Sequence, residues 1–452
     1  MLTIFRPDTD PFRERMDSIR NRLFEWSAIT HSSGYRSTSE RVFGDVPEPD
    51  EAVRRIVRQV REQGDKALLE YTEAFDGAAL DPDRIEVSAP EIRQACIEVP
   101  DSFTAACDRA AQRVSDFQKK ILENQADPKQ EEIYLRRIPV ERVGIYIPGG
   151  TGGSTPLVSS VYMNAVPARE AGVDEIYVCT PPGSEGDISP YILAACTACG
   201  VDRIFRAGGA QAVAAMAYGT QTVPRADMIA GPGNLFVMLA KKEVFGQAGI
   251  DLLAGPSEIC IIADENADTV CIAADLLSQA EHDPLSSCIL ITDDEECAEN
   301  VRTCISEQIE SLSRRDIIEP AFDSYGGIVI AGSLEEAAEI ANMIAPEHLE
   351  IMTDDPSNLL PLIRNAGTVF LGRFSPEACG DYMAGPSHTL PTGGTARFFS
   401  GLSADTFMKK SAVINISEAS FSSISADTMS IAEIEGLDAH TNSISVRRSD
   451  EE

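Results

Sequence analysis

From Val143 to Gly372 the chain alternates short apolar runs with longer helical patterns. Strands separated by a helix cannot form hairpins, so such alternation leads to parallel sheets built from crossover units. One series has strands over 143–147, 175–180, 202–208 and 228–231, with helices over 159–172, 190–200, 210–219 and 235–246. A second has strands over 258–264, 288–294, 327–332 and 368–372, with helices over 269–282, 295–312, 334–345 and 359–365 and the segment 347–353 before the last of these. The seam falls near 249–256. The expected fold class is α/β, with two Rossmann-like parallel-sheet domains in tandem and small N- and C-terminal helical extensions. The expected domains are an extension over 1–40, a first α/β domain over 41–143 and 255–400, a second over 144–254, and an arm over 401–452. Residues 11–80 read as helical, with Val53, Ile56, Val57 and Val60 on one face. A further helix is expected over 102–124 and a strand over 134–140. The arm reads as a short helical stretch, 427–447, after a serine-rich linker, 417–427.

Asp and Glu number 72 against 38 Lys and Arg, a formal net charge of -34. Such a surface repels phosphate backbones and anionic membranes, so nucleic-acid binding is excluded as a function class. Eleven cysteines, several inside apolar runs (Cys179, Cys260, Cys271, Cys288), suit reduced buried thiols. Cys196 and Cys199 sit in an apolar helical pattern and read as core. The first residues are charged from Arg6 onward and carry no apolar signal region, and no stretch of eighteen apolar residues occurs. The expectation is a cytoplasmic protein with no membrane partner.

The five histidines are His31, His282, His348, His388 and His440. Gln279 and His282 are three apart at the end of a helical pattern, with Asp275 one turn earlier, on the side away from an apolar stripe of Ala273, Leu276, Leu277 and Ala280. An amide oxygen and an imidazole so spaced can reach one metal ion, but taken alone the pattern favours a solvated helix end with a histidine near its dipole. Glu347 and His348 follow Pro346, which places them on a loop or a new helix start. They join a carboxylate to an imidazole, a pairing suited to proton transfer, although a capping Glu beside an incidental His accounts for it as well. Asp381 and His388 lie in a loop of small residues, where the carboxylate can complete a metal shell. In the arm, Glu435 and His440 sit among other acids and read as surface decoration or as groups reaching into a site.

Three glycine turns follow expected strands: 148–153, Gly208-Gly209-Ala210-Gln211, and Gly231-Pro232-Gly233-Asn234. None spells the usual dinucleotide fingerprint. Each passes as a tight turn, but three at one sheet's carboxyl edge fit a ligand crevice.

Together these segments closely resemble histidinol dehydrogenase. The words that carry the resemblance are VGIYIPGG, GGAQAVAAMAYGT, GPGN, AGPSE, DLLSQAEHD, APEHLE, GDYMAGPSHTLPTGG and EIEGLDAH, spread in family order from about Val53 to Arg447. The resemblance implies oxidation of L-histidinol to L-histidine through the aldehyde with two NAD, the last steps of histidine biosynthesis, and one zinc ion (Zn2+) per subunit that grips the substrate's imidazole and amine. It implies Glu347 as the base that activates water and His348 as proton acceptor. Gln279, His282, Asp381 and His440 correspond to zinc ligands and, with Ser257, His348 and Glu435, to substrate contacts. Tyr146, Gln211 and Asn234 correspond to NAD contacts, making 144–254 the NAD side and 41–143 with 255–400 the substrate and metal side. It also implies a homodimer in which the arm reaches the partner's site. The chain departs from the family pattern at Phe117-Gln118, in a longer turn after Gly150, and over the first forty residues. A zinc hydrolase using Glu347 to activate water, with structural glycine turns, is the alternative, and a non-catalytic binding protein a third reading.

Overall fold

The computed structural model describes residues 2–7, 9–21, 27–123, 131–149 and 156–448. Gly150 to Gly153 of the first glycine turn lie outside the described residues. Contacts divide the chain into two compact units, Met1–Leu122 with Val140–Phe407, and Glu123–Pro139 with Met408–Glu452.

Thirteen strands occur among the described residues: β1 (Ile4–Phe5), β2 (Ile133–Pro139), β3 (Arg142–Tyr146), β4 (Glu175–Thr180), β5 (Arg203–Arg206), β6 (Met228–Ala230), β7 (Gly249–Ile250), β8 (Glu258–Ala263), β9 (Ser287–Thr292), β10 (Gly327–Ile330), β11 (His348–Met352), β12 (Thr368–Leu371) and β13 (Met408–Ile414). The first unit holds two wholly parallel sheets, in the orders β5-β4-β3-β6-β7 and β1-β10-β9-β8-β11-β12. The tandem α/β expectation therefore holds, with the seam at the connection from β7 to β8.

Burial on both faces explains the unbroken apolar reading of the central strands. Every residue of β8 and β9 is buried. On one face Ile259, Ile261 and Leu290 meet Ile272 and Leu276. On the other, Cys260, Ile262 and Ile289 meet Ile340 and Ile344, with Phe12 and Met16 from the N-terminal helix Asp10–Asn21. In the five-stranded sheet Gly144 lets helix Gly209–Tyr218 approach; a Cβ there would lie 2.7 Å from Met216 Sδ.

Several expectations need correction. The N-terminal extension is not purely helical, because Ile4 and Phe5 add an edge strand beside Ile328 and Val329. Pro346 leads into a strand: His348 opens β11, and Glu347 directly precedes it. The serine-rich linker is a helix, Glu418–Ile434, capped by the Ser417 side chain. Its hydroxyls turn back onto the helix's own carbonyls (Ser423 to Ser420, 2.7 Å; Thr428 to Ile424, 2.8 Å), so their polarity does not break it. The arm's strand β13 pairs antiparallel with β2, a match between distant segments that local pattern does not reveal. Gln118 is fully buried and accepts the Ala404 N–H at 2.8 Å, a structural use of that departure.

At the carboxyl end of β6 the turn Gly231–Asn234 is held from beneath. Lys241 and Asp251 form a buried ion pair at 2.6 Å, with side chains 3% and 0% exposed. Lys241 Nζ also donates to the Gly231 carbonyl, and Asp251 accepts the Gly231 N–H at 2.8 Å and the Leu252 N–H at 2.6 Å. Gly231 has φ +106°, and a Cβ there would lie 2.2 Å from the Tyr146 carbonyl oxygen. Removing one partner of such a pair strands a buried charge. Lys241→Met is expected to cost about 3–5 kcal/mol, read as a lowered urea midpoint; a loss under about 1 kcal/mol, the scale of a surface pair, would show that the pair does not hold the turn.

Candidate active site and metal centre

The chemistry-bearing residues of the six-stranded sheet gather at the amino ends of β8 and β11. Register pairs His348 with Ile259, which sets Glu347 level with Glu258 at the mouth of the ladder. The Glu258 N–H donates to Glu347 Oε2 at 2.9 Å, and the Glu347 N–H donates to Glu258 Oε2 at 3.1 Å. His348 Nδ1 lies 2.9 Å from the Glu258 carbonyl oxygen and 3.7 Å from Glu347 Oε2. A carbonyl only accepts, so Nδ1 carries the hydrogen and Nε2 keeps its lone pair. Burial pushes the His348 imidazole down to about 4 despite the Asp381 charge, so the ring is neutral near pH 7. Burial, then the neighbouring Glu258 carboxylate, drives the Glu347 carboxyl well above its ordinary range. Ser257, half-buried, directly precedes β8.

Three of the four expected metal ligands lie on or just after two helices of the first unit. Helix Thr269–Ala280 carries Gln279, which is 1% exposed, and His282 follows its end at the surface. Asp381 lies on the short helix Glu377–Tyr382, rather than in a loop. Glu377 stands one turn before Asp381 on the same face. Ligand atoms of His282, Glu377 and Asp381 all lie within 4.8 Å of one another. Glu377 was not singled out by sequence; its i,i+4 spacing to Asp381 was the available signal. Burial and the Asp381 charge push its carboxyl up to about 9. Its N–H donates to Glu350 Oε1 at 2.8 Å; burial and then the nearby Asp275 charge drive the Glu350 carboxyl well above its ordinary range, and burial raises the Asp275 carboxyl to about 6. His388 Nδ1 lies 3.8 Å from Asp381 Oδ1. Gln279 Oε1, Glu377 Oε1 and His388 Nε2 are buried without a protein partner. Buried polar atoms are ordinarily satisfied. The converging nitrogen and oxygen donors of His282, Glu377 and Asp381 fit a divalent ion such as Zn2+.

The expected nucleotide residues line the carboxyl edge of the five-stranded sheet. Tyr146 ends β3 and its hydroxyl oxygen accepts the Gly209 N–H at 3.1 Å. Gln211 follows β5 on its helix, buried, with Nε2 unpartnered. Asn234 follows β6 and caps helix Leu235–Val244 through Oδ1, accepting from Phe236 and Val237 at 3.1 and 3.2 Å. Strand order reverses between β3 and β6, where α/β sheets open a ligand crevice. Sequence reasoning missed Asp76 here. It closes helix Asp65–Asp76 beside Gly208, and burial pushes its carboxyl up to about 7. Helix Ser159–Glu170 ties this edge to the metal-side loop. Tyr162 Oη donates to the Tyr382 carbonyl (3.3 Å), and the Thr389 hydroxyl donates to Asn164 Oδ1 (3.4 Å).

A family model described as histidinol dehydrogenase matches residues 40–448. A histidinol dehydrogenase of Geobacter sulfurreducens is 53% identical over 405 residues, covering 88% of this chain and 93% of that protein. One from Clostridium acetobutylicum is 46% identical over 429 residues, covering 94% and 98%.

The chain belongs to the histidinol dehydrogenase family.

A crystal structure of histidinol dehydrogenase from Elizabethkingia anophelis superposes with a TM-score of 0.85 at 35% identity, covering 99% of this chain and 98% of that one. Family membership makes the chain an oxidoreductase acting on an alcohol and an aldehyde, with histidinol as substrate and histidine biosynthesis as its setting. Two residues that the histidinol dehydrogenase resemblance assigns to the site, Glu435 and His440, belong to the second unit. Glu435 ends helix Glu418–Ile434, and His440 is exposed on helix Asp438–Ser445. No helix among the described residues is long and apolar enough to cross a membrane.

The His348 shift sets a pH dependence. The unfolded imidazole titrates near 6.5 and the folded one near 4, so stability is full above pH 6.5 and falls as pH drops toward 4. His348→Gln is expected to remove roughly 3 kcal/mol of the stability lost between about pH 7 and about pH 4. Urea unfolding of both proteins at the two pH values measures it; identical pH dependence would contradict the buried neutral ring.

Proposed function

We propose that the chain oxidises L-histidinol to L-histidine in two hydride transfers, with two NAD and one zinc ion per subunit. The observation that carries this reading is the Glu347–His348 pair at the mouth of β11, with its imidazole lone pair turned away from the backbone. In the first half the alcohol becomes the aldehyde: His348 Nε2 takes the hydroxyl proton while the carbinol hydrogen leaves as hydride. In the second half Glu347 takes a proton from water as its oxygen adds to the aldehyde carbon, and the hydrate gives up the second hydride. The products are the carboxylate, two NADH and three protons. Bound nicotinamide supplies the hydride acceptor, and bound zinc a grip on the substrate's imidazole and amine.

Gln279, His282 and Asp381 would hold the ion, with Glu377 beside them. Ser257 would contact substrate, and Tyr146, Gln211 and Asn234 would bind NAD. In a homodimer the arm would carry Glu435 and His440 to the site of the second copy. Eleven free thiols suit a reducing cytoplasm. Membership in an oxidoreductase family leaves the zinc hydrolase and the non-catalytic protein without support.

Histidinol-dependent growth of NADH absorbance tests the proposal, and no absorbance change with zinc-loaded protein would overturn it. Glu347→Gln is expected to depress aldehyde oxidation by about 100-fold or more while slowing the alcohol step far less; equal losses in both would remove Glu347 from water activation. Replacing His440 with Asn is expected to lower the zinc content of purified protein, and full occupancy would exclude it from the shell.

A further inference from the structure

Glu258 was not singled out by sequence, although it directly follows Ser257. It is 3% exposed, at the first position of β8. Because His348 is level with Ile259, Glu347 and Glu258 face each other where the β8–β11 ladder ends. Beyond a ladder's end, strand N–H groups need other partners. Here each glutamate's carboxylate accepts the other's N–H, at 2.9 and 3.1 Å. The second Glu258 oxygen, Oε1, accepts the Gly393 N–H at 2.8 Å. The Glu258 carbonyl takes the His348 Nδ1 hydrogen. Four bonds from one residue thus reach both members of the Glu347–His348 pair and the segment that runs on from Asp381.

We propose that Glu258 is a positioning residue, whose carboxylate holds the Glu347 main chain so that the Glu347 side chain addresses water in the aldehyde step. The proposal rests on the function argued above. Two of the four bonds, through the Glu258 N–H and C=O, survive any side-chain replacement. The bonds from Glu347 and Gly393 do not. His348 keeps its ladder partners and its Nδ1 anchor without the Glu258 carboxylate, whereas Glu347 loses the bond to its own N–H. The two half-reactions therefore respond unequally to loss of that carboxylate.

Glu258→Gln has nearly the same shape but offers one acceptor oxygen to two N–H donors. Zinc-loaded Glu258→Gln is assayed with L-histidinol and, separately, with L-histidinaldehyde supplied directly. The expected result is a fall in kcat for the aldehyde of about 10- to 100-fold, KM for both substrates within about two-fold of wild type, and a clearly smaller loss in the alcohol step. A purely structural residue would lower the urea midpoint and scale both activities down together. Equal losses, or unchanged activity per folded molecule, would overturn the positioning role while leaving the proposed function standing. A wild type that oxidises neither substrate would overturn both. Should Glu258→Gln not fold, Glu258→Asp, which keeps the charge one methylene short, is read in the same two assays with the same expected split.

Discussion

Burial of carboxyl groups is the constraint on which the site depends. Asp275, Glu258, Glu347, Glu350 and Glu377 are each no more than 9% exposed, and all gather on or against the β8–β11 side of one sheet. A charged carboxylate away from water is costly unless hydrogen-bonded. The partners here are largely main-chain N–H groups: Glu258 for Glu347, Glu347 and Gly393 for Glu258, Glu377 for Glu350. Main-chain donors satisfy an acid without cancelling its charge. These carboxyls stay electrostatically coupled, which is why burial and mutual repulsion raise several of them.

The two sheets contribute opposite edges. The five-stranded sheet offers carboxyl strand ends, where turns and helix starts present N–H groups suited to a nucleotide's phosphates. The six-stranded sheet offers amino strand ends, where Ser257, Glu258, Glu347 and His348 lie. Amino ends are less usual for a site in α/β sheets, and that edge is closed here by the end of helix Thr269–Ala280 and by helix Glu377–Tyr382. Helix Ser159–Glu170 begins beyond β3 and touches the 382–389 segment through Tyr162 and Asn164, so one rigid element serves both edges.

The two parallel sheets were readable because their strands are buried on both faces and their helices are long enough to show a period. Gln279, His282, Glu347, His348 and Asp381 were readable as unusual polar groups in otherwise apolar or glycine-rich surroundings. Glu258, Glu377 and Asp76 were not. Each sits inside an ordinary strand or helix, and only tertiary burial turns an ordinary acid into a perturbed one. β1 was invisible because two residues have no periodicity, and β13 because its partner is remote. The serine-rich helix was misread because serine's usual competition with the backbone is here spent within the helix itself.

That remote pairing has a consequence for synthesis. Tyr134 of β2 stands opposite Val413 of β13, 279 positions later by subtraction. At about 5–20 residues per second, β2 waits tens of seconds on the ribosome before its only ladder partner among the described residues is made. Both parallel sheets are complete in the growing chain by then. The second unit is therefore the last part of the molecule to assemble, and a chain cut short after the sheets would leave β2 with an unpaired edge open to other chains.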